Sequence, residues 1–274
     1  MAIRFLEKLE ITMQATIRLI LFFILTLIAW PAISQDKLCA VILMHGKYDR
    51  PQSLSSFANK LGPECTAQPI EMPWSPRRGY DVSYLAAISE IKTHVDSFRQ
   101  QGFKNVILAG HSFGTNAALA YMATEADVDG IIAMAAGHSP GWMYDQGQSK
   151  EIVDKASRLI SEGRGDDKLT MEDNGQGKRF DVNMRANVLF SYFDPKGLGH
   201  MPNTASNFKK SVPVLWVVGT RDPLFLEGSG FAFDKIKQNN FSRYIAVDAD
   251  HFTTPNTAVN QVKYWLKSTF QSAK

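Results

Sequence analysis

The sequence predicts an α/β protein: a mostly parallel sheet of about six strands, flanked by helices and interrupted by one lid-like insertion. Three observations carry this reading. Short, unbroken apolar runs recur along the chain, as strands buried on both faces require. Stretches of helical spacing separate them, and such alternation signals a parallel sheet with crossover helices. One interval of roughly seventy residues, from His138 to Ser211, breaks the rhythm where a connection of about twenty would suffice.

Taken in order, the elements begin with a leader. Leu19–Trp30 (LILFFILTLIAW) is apolar except for Thr26. Arg4, Lys8 and Arg18 precede it, and Ala32 and Ser34 occupy the −3 and −1 positions of a cut before Gln35. At 12 residues the run has the length of a signal-peptide h-region. A membrane-spanning helix needs roughly 20. Residues 1–34 are therefore expected to be a signal peptide. Residues 35–274 are the exported domain, periplasmic or secreted, with no stable membrane span after cleavage. An uncleaved anchor is the alternative.

Strands are expected at 39–44 (CAVILM), 65–71, 105–109 (NVILA), 130–135 (GIIAMA), 212–218 (VPVLWVV) and 244–247 (YIAV), and helices at 52–61, 83–100, 114–124 and 256–270. In 83–100, Tyr84, Leu85, Ile88, Ile91, Val95 and Phe98 recur at helical spacing. The insertion, 138–211, is read as a lid or cap over the sheet edge. Helices are expected in it at 150–162 and around 182–193, on either side of a polar Gly/Asp-rich segment, 163–178, read as a mobile tip. Its apolar content is too low for a core of its own.

Composition narrows the partners. The net charge is +3, and +2 without Arg4, Glu7, Lys8, Glu10 and Arg18 of the leader, which is no electrostatic footprint for nucleic acid. The two cysteines, Cys39 and Cys65, open neighbouring strands. In an exported protein they are either a disulfide or two small buried thiols. Both lie at the sheet end away from the chemistry, so neither is a candidate nucleophile. No Cys/His spacing resembles a zinc site, and no cofactor is implied.

The chemistry concentrates in Gly110-His111-Ser112-Phe113-Gly114, which directly follows the apolar run 105–109 and opens the small-residue helix TNAALAYMA. This is the G-x-S-x-G elbow in its strand–turn–helix context, where glycines relieve a tight turn and the serine hydroxyl is lifted out of the sheet. With that motif the chain resembles the α/β-hydrolase superfamily over residues 38–270, in a small form lacking the first two strands.

The resemblance implies a nucleophile, an acid and a histidine in that chain order. Asp222 fills the acid slot, in Gly219-Thr220-Arg221-Asp222-Pro223 after the run 212–218. His251 fills the histidine slot, in YIAVDADHF after the last strand. Ser112 would attack, His251 would act as general base, and Asp222 would fix its tautomer. Asp248 and Asp250 are alternative acids, although Asp250, adjacent to His251, points away on an extended strand. His45-Gly46 resembles the family's oxyanion-hole motif, which implies the backbone N–H groups of Lys47 and Phe113 as donors.

Around these, His45, Trp74, His138 and Trp142 are candidate substrate contacts. Each is open to a structural reading. Trp142, Met143 and Tyr144 would form an apolar wall for an acyl chain or pack as core. Arg77 and Arg78 would bind a negative substrate group or lie in a solvated loop. His111 is expected to pack beneath the elbow, and His200 to be structural. The expected function is hydrolysis of a small-molecule ester or acyl substrate through an acyl-enzyme on Ser112. A peptidase, thioesterase or acyltransferase on the same residues, or a non-catalytic binding protein of the same fold, remain alternatives. The oligomeric state is not legible.

Overall fold

A computed structural model describes residues 37–271. The proposed leader, including its cleavage site, lies outside the described residues. Among those described, no helix is long and apolar enough to cross a membrane.

Six parallel strands form the sheet: β1 (Cys39–Met44), β2 (Cys65–Ile70), β3 (Val106–His111), β4 (Gly130–Met134), β7 (Val214–Gly219) and β8 (Arg243–Val247), in the order β2-β1-β3-β4-β7-β8. The helices are α1 (Ser55–Leu61), α2 (Tyr84–Gln100), α3 (Phe113–Thr124), α4 (Pro140–Asp145), α5 (Lys150–Ser161), α6 (Ala186–Phe193), α7 (Met201–Ser206), α8 (Thr254–Thr257) and α9 (Val259–Phe270). The expected elements therefore form within a few residues of their predicted bounds. At the first rung of the β1–β2 ladder, Cys39 faces Cys65 with their Cα atoms 4.7 Å apart, and a disulfide joins them.

Pleating divides the core in two. Along β1, Ala40, Ile42 and Met44 enter a cluster with α2, α3 and the insertion. Cys39, Val41 and Leu43 enter a second cluster with α1 and α9. Both faces are covered, which explains the continuous apolar runs.

The insertion departs from expectation. Residues 168–185, read as the end of a polar tip and the start of a helix, form instead an antiparallel hairpin, β5 (Lys168–Gly175) and β6 (Lys178–Arg185), and α6 starts only at Ala186. The loop is Gln176-Gly177, with φ of +51° and +67°, the left-handed pair that two-residue hairpin turns demand. Inward-facing Leu169, Met171, Val182 and Met184 join the same cluster as β1's even-numbered residues. The hairpin thus extends the main core.

Candidate active site

β1 and β3 are adjacent central strands whose connections leave toward different neighbours. Open α/β sheets bind ligands outside the carboxyl ends of strands at such a switch. Ser112 sits there, between β3 and α3, with φ +55° and ψ −117°. This left-handed conformation is strained for a serine and persists only when its surroundings over-determine it. They do so here. A Cβ at Gly110 would overlap the backbone of Gly114 and Thr115, and one at Gly114 would overlap Met44. Ser112 N–H donates to Met134 O at 3.0 Å, and Thr115 Oγ1 donates to Gly110 O at 2.7 Å. A Cβ at Gly137 would stand 2.6 Å from Ser112 Oγ, so this glycine keeps space open beside the hydroxyl.

Asp222 follows β7 and is 3 % exposed. Its Oδ1 accepts from Leu224 N–H at 2.8 Å, capping the turn that follows. Its Oδ2 accepts from His251 Nδ1 at 2.7 Å. A carboxylate acceptor puts the proton on Nδ1 and leaves Nε2 as the basic nitrogen. The other acids are occupied. Asp248 pairs with Arg221 at the surface, and Asp250 Oδ1 accepts from the N–H groups of Phe252 and Thr253 at 3.0 and 2.8 Å. Among the described residues, Ser112 Oγ makes no hydrogen bond to His251. Both line one cavity of about 600 Å³, and such contacts commonly tighten only with substrate in place.

His111 lies beneath this pair, as expected, and does more than fill space. Its Nε2–H donates to the backbone carbonyl of His251 at 2.8 Å, and the two rings lie 5.2 Å apart. Burial, reinforced by the neighbouring His251, pushes its imidazole down to about 4, so it is neutral at pH 7.

After β1, Lys47 lines the same cavity. Its N–H donates to no protein acceptor among the described residues, and neither does that of Phe113, which precedes the hydrogen-bond ladder of α3. Such free donors beside a serine suit an oxyanion hole.

The expected substrate contacts divide. His45 and Trp74 do not line the cavity; both are fully buried. His45 Nε2 accepts from Met72 N–H at 3.1 Å while Nδ1 donates to Gly46 O at 2.8 Å. Burial holds this ring neutral. Trp74 Nε1 donates to His45 O at 2.8 Å, and its ring packs on Phe113, 4.4 Å away. Both brace the loop after β1 instead of meeting substrate. His138 and Trp142 do line the cavity, Trp142 half exposed, with Met143 beside it. His138 Nε2 is committed to Tyr192 O at 2.8 Å.

Arg78 is spent on Asp81 and Glu90, and Arg77 on Glu71, away from the cavity. No three His, Cys, Asp or Glu side chains gather to hold a metal ion among the described residues. The wall missed by the sequence reading is the hairpin tip, Asp173 to Gly177, with Leu224 and Phe252 opposite. Its signal was present in the period-two spacing of Leu169 and Met171 and in the Gly-Gln-Gly turn.

Comparison with known proteins identifies the family. The sequence model of the alpha/beta hydrolase family matches residues 41–262. No curated protein matches the sequence. Among solved structures, a monoacylglycerol lipase of Paleococcus ferrophilus is 20% identical, with a TM-score of 0.62 over 84% of this chain and 94% of that one. Ferulic acid-bound Est1E of Butyrivibrio proteoclasticus is 15% identical, with 0.59 over 85% and 90%. An extracellular alpha/beta-hydrolase from a Paenibacillus species is 16% identical, with 0.55 over 85% and 100%.

Proposed function

The chain belongs to the alpha/beta hydrolase family, and from that premise we propose that it is a serine hydrolase of carboxylic esters with Ser112, Asp222 and His251 as its catalytic residues. One observation carries the reading: a strained serine shares a cavity with a histidine whose Nδ1 is bound to a buried carboxylate at 2.7 Å. His251 Nε2 takes the Ser112 proton as Oγ attacks the ester carbonyl, and Asp222 stabilises the resulting imidazolium. The N–H groups of Lys47 and Phe113 hold the oxyanion. Collapse expels the alcohol, protonated by His251. Water activated by the same nitrogen then releases the acid. Trp142, Met143, Leu224 and Phe252 give the cavity apolar walls for an acyl or aryl group. The esterase- and lipase-like structural neighbours support a small-molecule ester as substrate.

The segment 138–211 covers this site in the proposal. Residues 1–34 act as a signal peptide, a reading the Cys39–Cys65 bond supports, because such bonds persist in oxidising compartments. N-terminal sequencing of the mature chain should begin at Gln35; any other start removes the cleavage proposal.

A fluorophosphonate probe and a p-nitrophenyl ester series test the chemistry. The wild type should label and hydrolyse, and Ser112→Ala should do neither, losing on the order of 10⁶ in kcat. Folded wild type that takes no label would be a binding protein. Labelling with turnover of aminoacyl amides but no ester would make it a peptidase.

A further inference from the structure

Four contacts from the inserted hairpin converge on Lys47 and Tyr48. Lys47 is 7 % exposed and Asp173 1 %, and Lys47 Nζ donates to Asp173 Oδ1 at 2.7 Å. Asp173 also accepts from Tyr80 OH at 3.2 Å and from Asn174 N–H at 2.9 Å. Gln176 Nε2 donates to Lys47 O at 3.0 Å. The Tyr48 ring stacks on Phe180 with centroids 4.3 Å apart. Gly175 approaches so closely that a Cβ there would collide with that ring.

A buried ion pair is a poor way to stabilise a fold, since apolar residues of similar volume do as well or better. Its best-attested use is to fix one arrangement over others. Here there is something to fix. Tyr48 has φ +52°, a conformation a non-glycine residue keeps only when held. It directly follows the residue whose N–H is the candidate oxyanion donor. Lys47 is thus gripped by its side chain and its carbonyl, and Tyr48 by its ring, while the Lys47 N–H stays free.

We propose that the β5–β6 hairpin is a positioning clamp for the oxyanion loop, setting the direction of the Lys47 N–H through Asp173 and Gln176. The proposal rests on the serine-hydrolase reading of the same site. Asp173 and Gln176 are positioning residues; neither needs to touch the reacting atoms.

The test is kcat and KM on a p-nitrophenyl ester, with thermal melting, for the wild type, Asp173→Asn, Gln176→Ala and the outward-facing Glu172→Gln. Complete loss of one oxyanion donor costs about 10²–10³ in kcat. A misaimed donor in Asp173→Asn should therefore cost about 10–100-fold, with KM moving far less. Gln176→Ala should show a smaller fall in kcat at an unchanged melting temperature. It decides the matter if Asp173→Asn does not fold, since that variant strands the Lys47 charge. Glu172→Gln should match the wild type. An active wild type with kcat preserved in the folded variants, or with only KM changed, overturns the clamp alone. A folded wild type that neither labels nor hydrolyses overturns the hydrolase reading and the clamp with it.

Discussion

The two ends of the six-stranded sheet are built from different chemistry. Where strands finish, the backbone is forced into left-handed conformations at Tyr48, Ser112, Ala135 and His138, and buried polar side chains gather, among them His45, Lys47, His111, Asn116 and Asp222. Where strands begin, Cys39 and Cys65 are stapled, and the prominent polar contacts lie near the surface, Arg99 to Asp129 and Asp129 to Val106 N–H. Strain is tolerable at one end because covalent and apolar contacts elsewhere hold the frame. Substitutions at the finishing end should therefore change rate, and those at the starting end stability.

With the nucleophile left in place, the largest expected effect tests the finishing end. Asp222→Asn keeps the size of the side chain but favours the wrong imidazole tautomer, and should lower kcat about 10⁴-fold, or about 5.5 kcal/mol in the barrier. Its melting temperature should stay near that of the wild type. A loss of less than about tenfold in kcat would give the acid's role to another group and break the contrast.

At the starting end, replacing Cys39 and Cys65 together by serine should cost about 3.5 kcal/mol of stability, the loop-closure entropy for a separation of 26 residues. Ester turnover at 25 °C should be unchanged. A fall in kcat without a fall in stability would mean the two ends are not independent.

The smallest effect qualifies the contrast, because a finishing-end residue, His111, also bears on stability. His111 titrates near 4 when folded and near 6.5 when unfolded, so between those values the unfolded chain binds the extra proton. Stability from its neutral form is complete above pH 6.5 and is lost as pH falls toward 4, by about 3 kcal/mol. His111→Gln, which retains a donor for the His251 carbonyl but cannot titrate, should flatten the acid limb of a denaturant-stability profile. An unchanged limb would move the acid sensitivity to other groups, such as His45 and His138, which burial also holds neutral.

Much of this was legible in the sequence, for local reasons. The elbow, Asp222 and His251 each sit within a few residues of an apolar run that ends in turn residues. A strand end of that kind fixes where a side chain lies in the fold without knowledge of distant neighbours. The hairpin was hidden because its outward positions are charged or polar and only alternate residues are apolar, so the segment reads as a polar tip unless its period is counted. His45 and Trp74 were misread for another reason. Proximity to a strand end does not say which way a side chain leaves it, and both turned inward to brace the same loop.

The sequence by itself marked the strands of the main sheet, most of the helices and the three candidate catalytic residues, because each follows from short-range patterning and backbone sterics. Only the tertiary structure decided which polar groups at the rim face the cavity and which support it. Those choices are made by hydrogen bonds across 29 residues, from Trp74 to His45, and across 126, from Lys47 to Asp173. Such partners meet only once a buried polar group has to find one in the packed molecule.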